Sequence, residues 1–199
     1  MMKIAALSHE LCVYVPESDE IEAVAVLESE LGWIAFGVRG EALVGVVFGH
    51  ASAANASRGL CRVFGIAEGA WLKRRVELGD GELRTVARIA DKLHGYAGGE
   101  SVDLRDIAID ESHLTPFGRR VTAACRRIPN GQTRTYGQLA AVCGSPGAAR
   151  AVGQVMARNR FPLVVPCHRV LGAGGSLGGF SAPQGLAMKR RLLALETRE

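Results

Sequence analysis

No stretch of this 199-residue sequence approaches the run of about 20 apolar residues that crosses a bilayer. One of the longest apolar runs covers only residues 42–48. A secretory signal needs a positive start and a sustained apolar segment, whereas residues 1–10 offer Lys3 and the brief apolar stretch 4–7, which is too short. No Cys-x-x-Cys pair occurs. The five cysteines, Cys12, Cys61, Cys125, Cys143 and Cys167, are odd in number and irregularly spaced, which argues against a disulfide framework or a compact zinc knuckle. Internal repeats are missing as well. These absences predict an intracellular, cytoplasmic protein with reduced thiols, no membrane partner and no metal. With 48% hydrophobic residues, a chain of this length can bury one ample core or two modest ones, so it should fold.

Acidic residues are scarce in one half. Residues 111–199 hold 3 Asp or Glu against 13 Lys or Arg, a net of +10, while residues 1–110 hold 17 against 11, a net of −6. The overall charge of +4 hides this division. A solvated basic face and a polyanion-binding surface both fit it, and charge alone does not choose.

What is present falls into two parts. Residues 22–27, 33–38 and 42–48 are apolar, β-rich runs joined by short segments containing Gly32, Arg39 and Gly40, the pattern of an antiparallel meander. Leu83, Val86, Ile89, Ala90 and Leu93 recur at helical spacing with Arg84, Arg88, Asp91 and Lys92 opposite, which predicts an amphipathic helix covering the sheet. Gly95, Gly98, Gly99 and the polar stretch to Asp110 read as a linker. The expected organisation is α+β: a small N-terminal α/β domain, 1–110, followed by a mostly helical domain, 111–199.

In the second part, Thr115-Pro116 is an N-cap and first-turn pair, with Val121, Ala124, Cys125 and Ile128 at helical spacing until Pro129-Asn130-Gly131. Thr135 before Tyr136 starts a second helix that ends at Gly144, and Ser145-Pro146 before residues 147–158 signals a third. Two short helices around a Gly-Ser-Pro turn have the layout of a helix-turn-helix, although such hairpins also occur in proteins that never meet DNA. Residues 161–165 read as a short buried strand that delivers Pro166-Cys167-His168-Arg169-Val170. A Gly-rich loop, 172–179, and a closing helix over 186–196 follow.

A cysteine becomes a strong nucleophile when a positive charge or a base stabilises its thiolate; otherwise it is a small buried hydrophobe. His168 follows Cys167 directly. Neighbouring side chains diverge on a strand or a helix, however, so a proton would pass between them only through a bridging water.

The ordered set is more informative than any one residue. Pro166-Cys167-His168-Arg169-Val170 resembles the active-site motif of the methylated-DNA–protein-cysteine methyltransferases, the alkylguanine-DNA alkyltransferases. The resemblance continues through Thr135 to Ala140, Ala149-Arg150-Ala151-Val152-Gly153, Asn159, Gly179-Phe180-Ser181, Lys189, Leu192-Leu193 and Glu196, about eighty residues in the family's order. It implies a ribonuclease-H-like N-terminal domain and a winged-helix-like C-terminal one. It also implies stoichiometric transfer of an alkyl group from O6-alkylguanine, and O4-alkylthymine, in DNA to Cys167, with no cofactor.

By the same resemblance, His168 acts as base through water, Glu196 orients it, and Tyr136 gives a proton to the leaving base. Asn159 ties the helix-turn-helix to the active-site segment. Arg150 fills the gap left by an extruded nucleotide, and Thr135, Tyr136, Ala149, Ala151 and Gly153 face the minor groove of double-stranded DNA. Pro166, Val170, Phe180 and Ser181 line the substrate pocket, and the protein acts as a monomer. Three departures stand out: Arg160-Phe161 precede Pro162 where proline often follows the asparagine directly, Ala182-Pro183-Gln184-Gly185 lengthens the last loop, and Thr122 occupies a position where tryptophan is common. Two other readings use the same half of the chain, an alkyltransferase-like damage-binding protein and an alkylation-responsive transcription regulator. The presence of Cys167 argues against the first, and no regulatory domain supports the second.

Overall fold

Residues 11–14, 21–66 and 79–197 are described by a computed structural model. They divide into two compact units between Asp110 and Glu111. Residues 1–10, where the secretory-signal reading falls, lie outside the described residues.

Small and β-branched residues dominate the strands of the first unit, which form a four-stranded antiparallel sheet in chain order: β1 (Leu11–Tyr14), β2 (Ala23–Leu27), β3 (Trp33–Arg39) and β4 (Ala42–His50). In its register Ala23 lies opposite Val38, and Leu27 opposite Ile34. Every residue of β2 is buried, a condition that requires cover on both faces. Helix α1 (Ala53–Phe64) places Ala56, Leu60 and Cys61 against Ile21, Val24, Val26, Ala35 and Val44. Its start is fixed by Ser52, whose hydroxyl accepts the Asn55 amide at 3.2 Å. Helix α2 (Asp80–Ala97) buries Val86, Ile89, Ala90 and Leu93 and packs on β2 and β3, in line with the amphipathic pattern. The expected meander is present, while β1 and α1 were not foreseen.

The stretch expected as a linker belongs to this unit. Leu104 and Ile107 are buried, the Leu43 amide donates to Ala108, and the Asp110 amide donates to Leu43, so the chain extends the edge of β4 as far as Asp110. Arg39 pairs with the Asp110 carboxylate there. Gly95 is not a break but a buried helical position, where an added Cβ would stand 2.7 Å from the Glu100 carboxylate. The apolar residues between the polar ones are what hold this segment down.

In the second unit, Thr115 caps α3 (Pro116–Arg126) by accepting the Gly118 amide at 3.0 Å. The two-residue strand β5 (Arg134–Thr135) leads into α4 (Tyr136–Val142), started by a reciprocal capping box: Thr135 accepts the Gln138 amide at 3.1 Å, and Gln138 accepts the Thr135 amide at 2.8 Å. Gly144, at φ +71°, ends that helix. Helix α5 (Ala149–Ala157) begins later than Ser145-Pro146 suggested, because Gly147 sits at φ +96° and interrupts helical geometry. Helices α3, α4 and α5 pack on one another.

The strand expected at 161–165 is instead a buried turn. The Val165 amide donates to Phe161 at 2.7 Å, and Leu163 adopts φ +73°. An all-apolar run of this length marks burial but does not by itself fix extended backbone. A 3-10 turn, Cys167–Arg169, follows, then β6 (Val170–Leu171), parallel to β5, and α6 (Gly185–Leu195). Among the described residues no helix is long and apolar enough to cross a membrane.

Candidate active site and DNA-facing helices

The 3-10 turn sets Cys167 and His168 in different surroundings. Cys167 is half-buried, while His168 is completely buried, its Nε2 2.7 Å from Oε1 of Glu196 at the end of α6. A neutral histidine whose Nε2 donates to a carboxylate has Nδ1 as its basic nitrogen. Burial holds His168 below its ordinary pKa, against the pull of Glu196. The Cys167 thiol is pushed up by burial; the Asn159 side chain, the Lys189 charge and the amides of Cys167 and His168 oppose that rise. The net direction keeps the thiol protonated, so deprotonation needs a base.

Two charged residues without an expected role are buried here. Arg169 grips Glu196 through Nε, at 3.1 and 2.9 Å from its two oxygens, and through Nη2 at 2.7 Å. The rest of its guanidinium donates to the Ile128 carbonyl at 2.5 Å and to the Asn130 side chain, and the Gly131 amide also donates to Glu196 at 3.3 Å. Lys189 is fully buried, with Nζ donating to the Val170 and Leu177 carbonyls at 2.7 and 2.6 Å. It shares the buried face of α6 with Met188 and Leu192, and a cation on such a face needs internal partners.

Asn159 joins the end of α5 to the buried turn. Its Nδ2 donates to Val165 at 2.9 Å, and its Oδ1 accepts the Phe161 amide at 2.9 Å. Arg160-Phe161, standing where proline often follows the asparagine, is thereby accommodated. Tyr136 is half-buried at the head of α4; burial raises its hydroxyl pKa, as do the Cys167 and Cys125 thiolates. A Cβ on Gly178 would lie 3.4 Å from the Tyr136 hydroxyl, and one on Gly153 would lie 4.0 Å from its ring. Pairing of Arg134 with Val170 and Thr135 with Leu171 carries Tyr136 beside the segment leaving the 3-10 turn.

Of the other expected residues, Pro166 and Val170 are buried, Phe180 is half-buried and Ser181 is exposed on the loop beyond the Leu177 anchor. On α5, Arg150 is exposed next to the partly buried Ala149, Ala151 and Gly153. Thr122 is buried in α3 and lines a cavity of about 290 Å³ with Phe117, Val155 and Phe161. Among the described residues no group of three or more His, Cys, Asp or Glu side chains is placed to hold a metal ion.

A thiol next to a carboxylate-bound histidine, in one basic unit with a pair of short helices, is the arrangement expected of a DNA-binding protein that uses a cysteine. Comparison with known proteins narrows that class. Residues 116–198 match the family model described as 6-O-methylguanine DNA methyltransferase, DNA binding domain. The chain is 46% identical over 115 residues to the methylated-DNA–protein-cysteine methyltransferase of Mycolicibacterium paratuberculosis, covering 58% of this chain and 67% of that protein. It is 45% identical over 108 residues to the Salmonella typhimurium protein of the same name, covering 54% and 61%.

Solved structures extend the likeness to both units. The Mycobacterium tuberculosis OGT in complex with DNA superimposes with a TM-score of 0.62 at 31% identity, covering 87% of this chain and 92% of that one. The O6-methylguanine-DNA methyltransferase of Pyrococcus kodakaraensis gives 0.61 at 25%, covering 94% and 99%. The chain belongs to the methylated-DNA–protein-cysteine methyltransferase family. It is a DNA-binding enzyme of direct-reversal repair that moves an alkyl group from DNA to protein cysteine.

Proposed function

We propose that Cys167 is the acceptor, consumed in a single turnover, and that O6-alkylguanine in double-stranded DNA is the donor, with O4-alkylthymine a second one. The observation that carries this reading is the half-buried thiol of Cys167 beside a fully buried His168 bound through Nε2 to Glu196. The Cys167 proton passes through a bridging water to Nδ1 of His168. The thiolate sulfur then forms a bond to the alkyl carbon as the carbon–oxygen bond to the base breaks, and the departing guanine takes a proton from Tyr136. Asn159 helps to stabilise the thiolate, and Glu196 steadies the histidine.

Access to the reacting atom requires the nucleotide to leave the stack. In this reading α5 enters the minor groove, where base-edge readout is poor and repair is independent of sequence. Arg150 fills the vacated space, while Thr135, Ala149, Ala151 and Gly153 allow close approach to the backbone. Pro166, Val170, Phe180 and Ser181 receive the extruded base. We assign residues 1–110 to a ribonuclease-H-like domain and 111–199 to a winged-helix-like catalytic domain, acting as a monomer in the cytoplasm, at the nucleoid if the cell is bacterial.

Incubation with duplex DNA containing O6-methylguanine is expected to raise the protein's mass by one methyl group, located by peptide mass spectrometry at Cys167. Cys167→Ala is expected to lose transfer and keep DNA binding. Transfer to another cysteine would displace the assignment.

A further inference from the structure

Glu196 serves two cationic partners at once. His168 reaches Oε1 through Nε2 at 2.7 Å, and Arg169 reaches the same oxygen through Nη2 at 2.7 Å while its Nε lies 2.9 Å from Oε2. All three side chains are buried, with the Glu196 side chain only 2% exposed. A buried carboxylate with histidine as its sole partner favours the imidazolium, and an imidazolium takes no proton from a thiol. A guanidinium stays charged throughout and matches a carboxylate in a fork. Here that fork is held from behind by the Ile128 carbonyl and the Asn130 side chain, so it is fixed on Glu196 independently of the histidine.

We propose that Arg169 is a positioning residue for the transfer: by neutralising and fixing Glu196, it leaves His168 oriented by the carboxylate yet uncharged and able to accept the Cys167 proton. This rests on the assignment of His168 as the base for Cys167. The charges facing His168 are Glu196 and Lys189 from α6 and its end, and Arg169 from the turn itself. Burial, Arg169 and Lys189 oppose the proton; Glu196 alone favours it. Of the two cations, only Arg169 touches the carboxylate.

The test is the rate of alkyl uptake from free O6-benzylguanine base, followed across pH for the full-length wild type, Arg169→Gln and Arg169→Lys. For Arg169→Gln the acid limb of the profile is expected to move up by about one pH unit, with a roughly tenfold loss on that limb at mildly acidic pH that is recovered toward alkaline buffer. Arg169→Lys is expected to return the limb close to its wild-type position while staying slower at all pH values, having the charge without the fork. A loss in Arg169→Gln of equal size at every pH would overturn the proposal, since a merely structural role predicts that.

Should Arg169→Gln fail to fold, NMR titration of His168 in the wild type and in Asn130→Ala, which loosens the Arg169 fork, decides: a higher His168 pKa in that variant supports the role, and an unchanged one, or an imidazolium at neutral pH in the wild type, overturns it. A wild type that takes up no alkyl group fails the Cys167 assignment instead. The histidine titration still gives its own answer in that case.

Discussion

Among individual residues, Lys189 carries the clearest energetic argument after the Cys167 group. A fully buried ammonium is unfavourable unless its donors find partners, and two carbonyls, those of Val170 and Leu177, accept two of its three hydrogens here. Burial lowers its pKa, against the attraction of the Cys167 and Cys125 thiolates. Lys189→Met keeps the length of the side chain and removes both hydrogen bonds and the charge. Loss of the bonds is expected to cost about 1–3 kcal/mol, read as a lower urea midpoint. Loss of the charge raises the Cys167 thiol further, so transfer at neutral pH is expected to slow and to recover partly in alkali; unchanged transfer would separate Lys189 from the thiol. Uptake is expected at one site because Cys61, Cys125 and Cys143 are buried, whereas Cys167 is half-buried and adjoins the base His168; burial also pushes the Cys125 thiol well above its ordinary value.

For the elements, α5 is the test of how the second unit meets DNA. Arg150 is exposed on its first turn, beside the small residues Ala149 and Ala151. Arg150→Ala is expected to slow repair in duplex DNA on the order of tenfold while leaving reaction with free O6-benzylguanine nearly unchanged, because only the duplex substrate must be unstacked. Equal losses on both substrates would remove Arg150 from base extrusion. Elements with local signals were legible in the sequence: the β2–β4 meander from its apolar runs, α2 from its period, α3 and α4 from Thr115 and Thr135 as caps. Helix α1 was not, since Ala53, Ala54, Ser57 and Gly59 blur its apolar stripe. The 161–165 turn was misread because Leu163 takes a left-handed conformation that no local residue choice announces. Cys167, His168, Asn159 and Glu196 could be named together from motif order. The sharing of Glu196 could not, because Arg169 closes on Ile128 and Asn130, far away in the chain.

At the scale of the whole molecule, buried bases link stability to pH. His168 is fully buried, and burial holds its pKa below the ordinary 6.5; His50 in the first unit is lowered for the same reason, with Arg62 adding to it. Each depressed value means that the unfolded chain takes up a proton at a pH where the folded chain does not. As pH falls through 6.5 the unfolded state is therefore stabilised, so stability is full above that value and declines below it until the folded histidine protonates as well. Lys189 slopes the same way: with its folded pKa below 10.5, the unfolded chain binds more protons in that alkaline window and stability rises with pH across it. Urea unfolding from neutral to mildly acidic pH is expected to lose on the order of 1 kcal/mol to His168. His168→Gln should flatten that decline without abolishing the part due to His50. A stability that rose on acidification from neutral pH would contradict a neutral, buried His168, and with it the state in which the histidine can serve as a base.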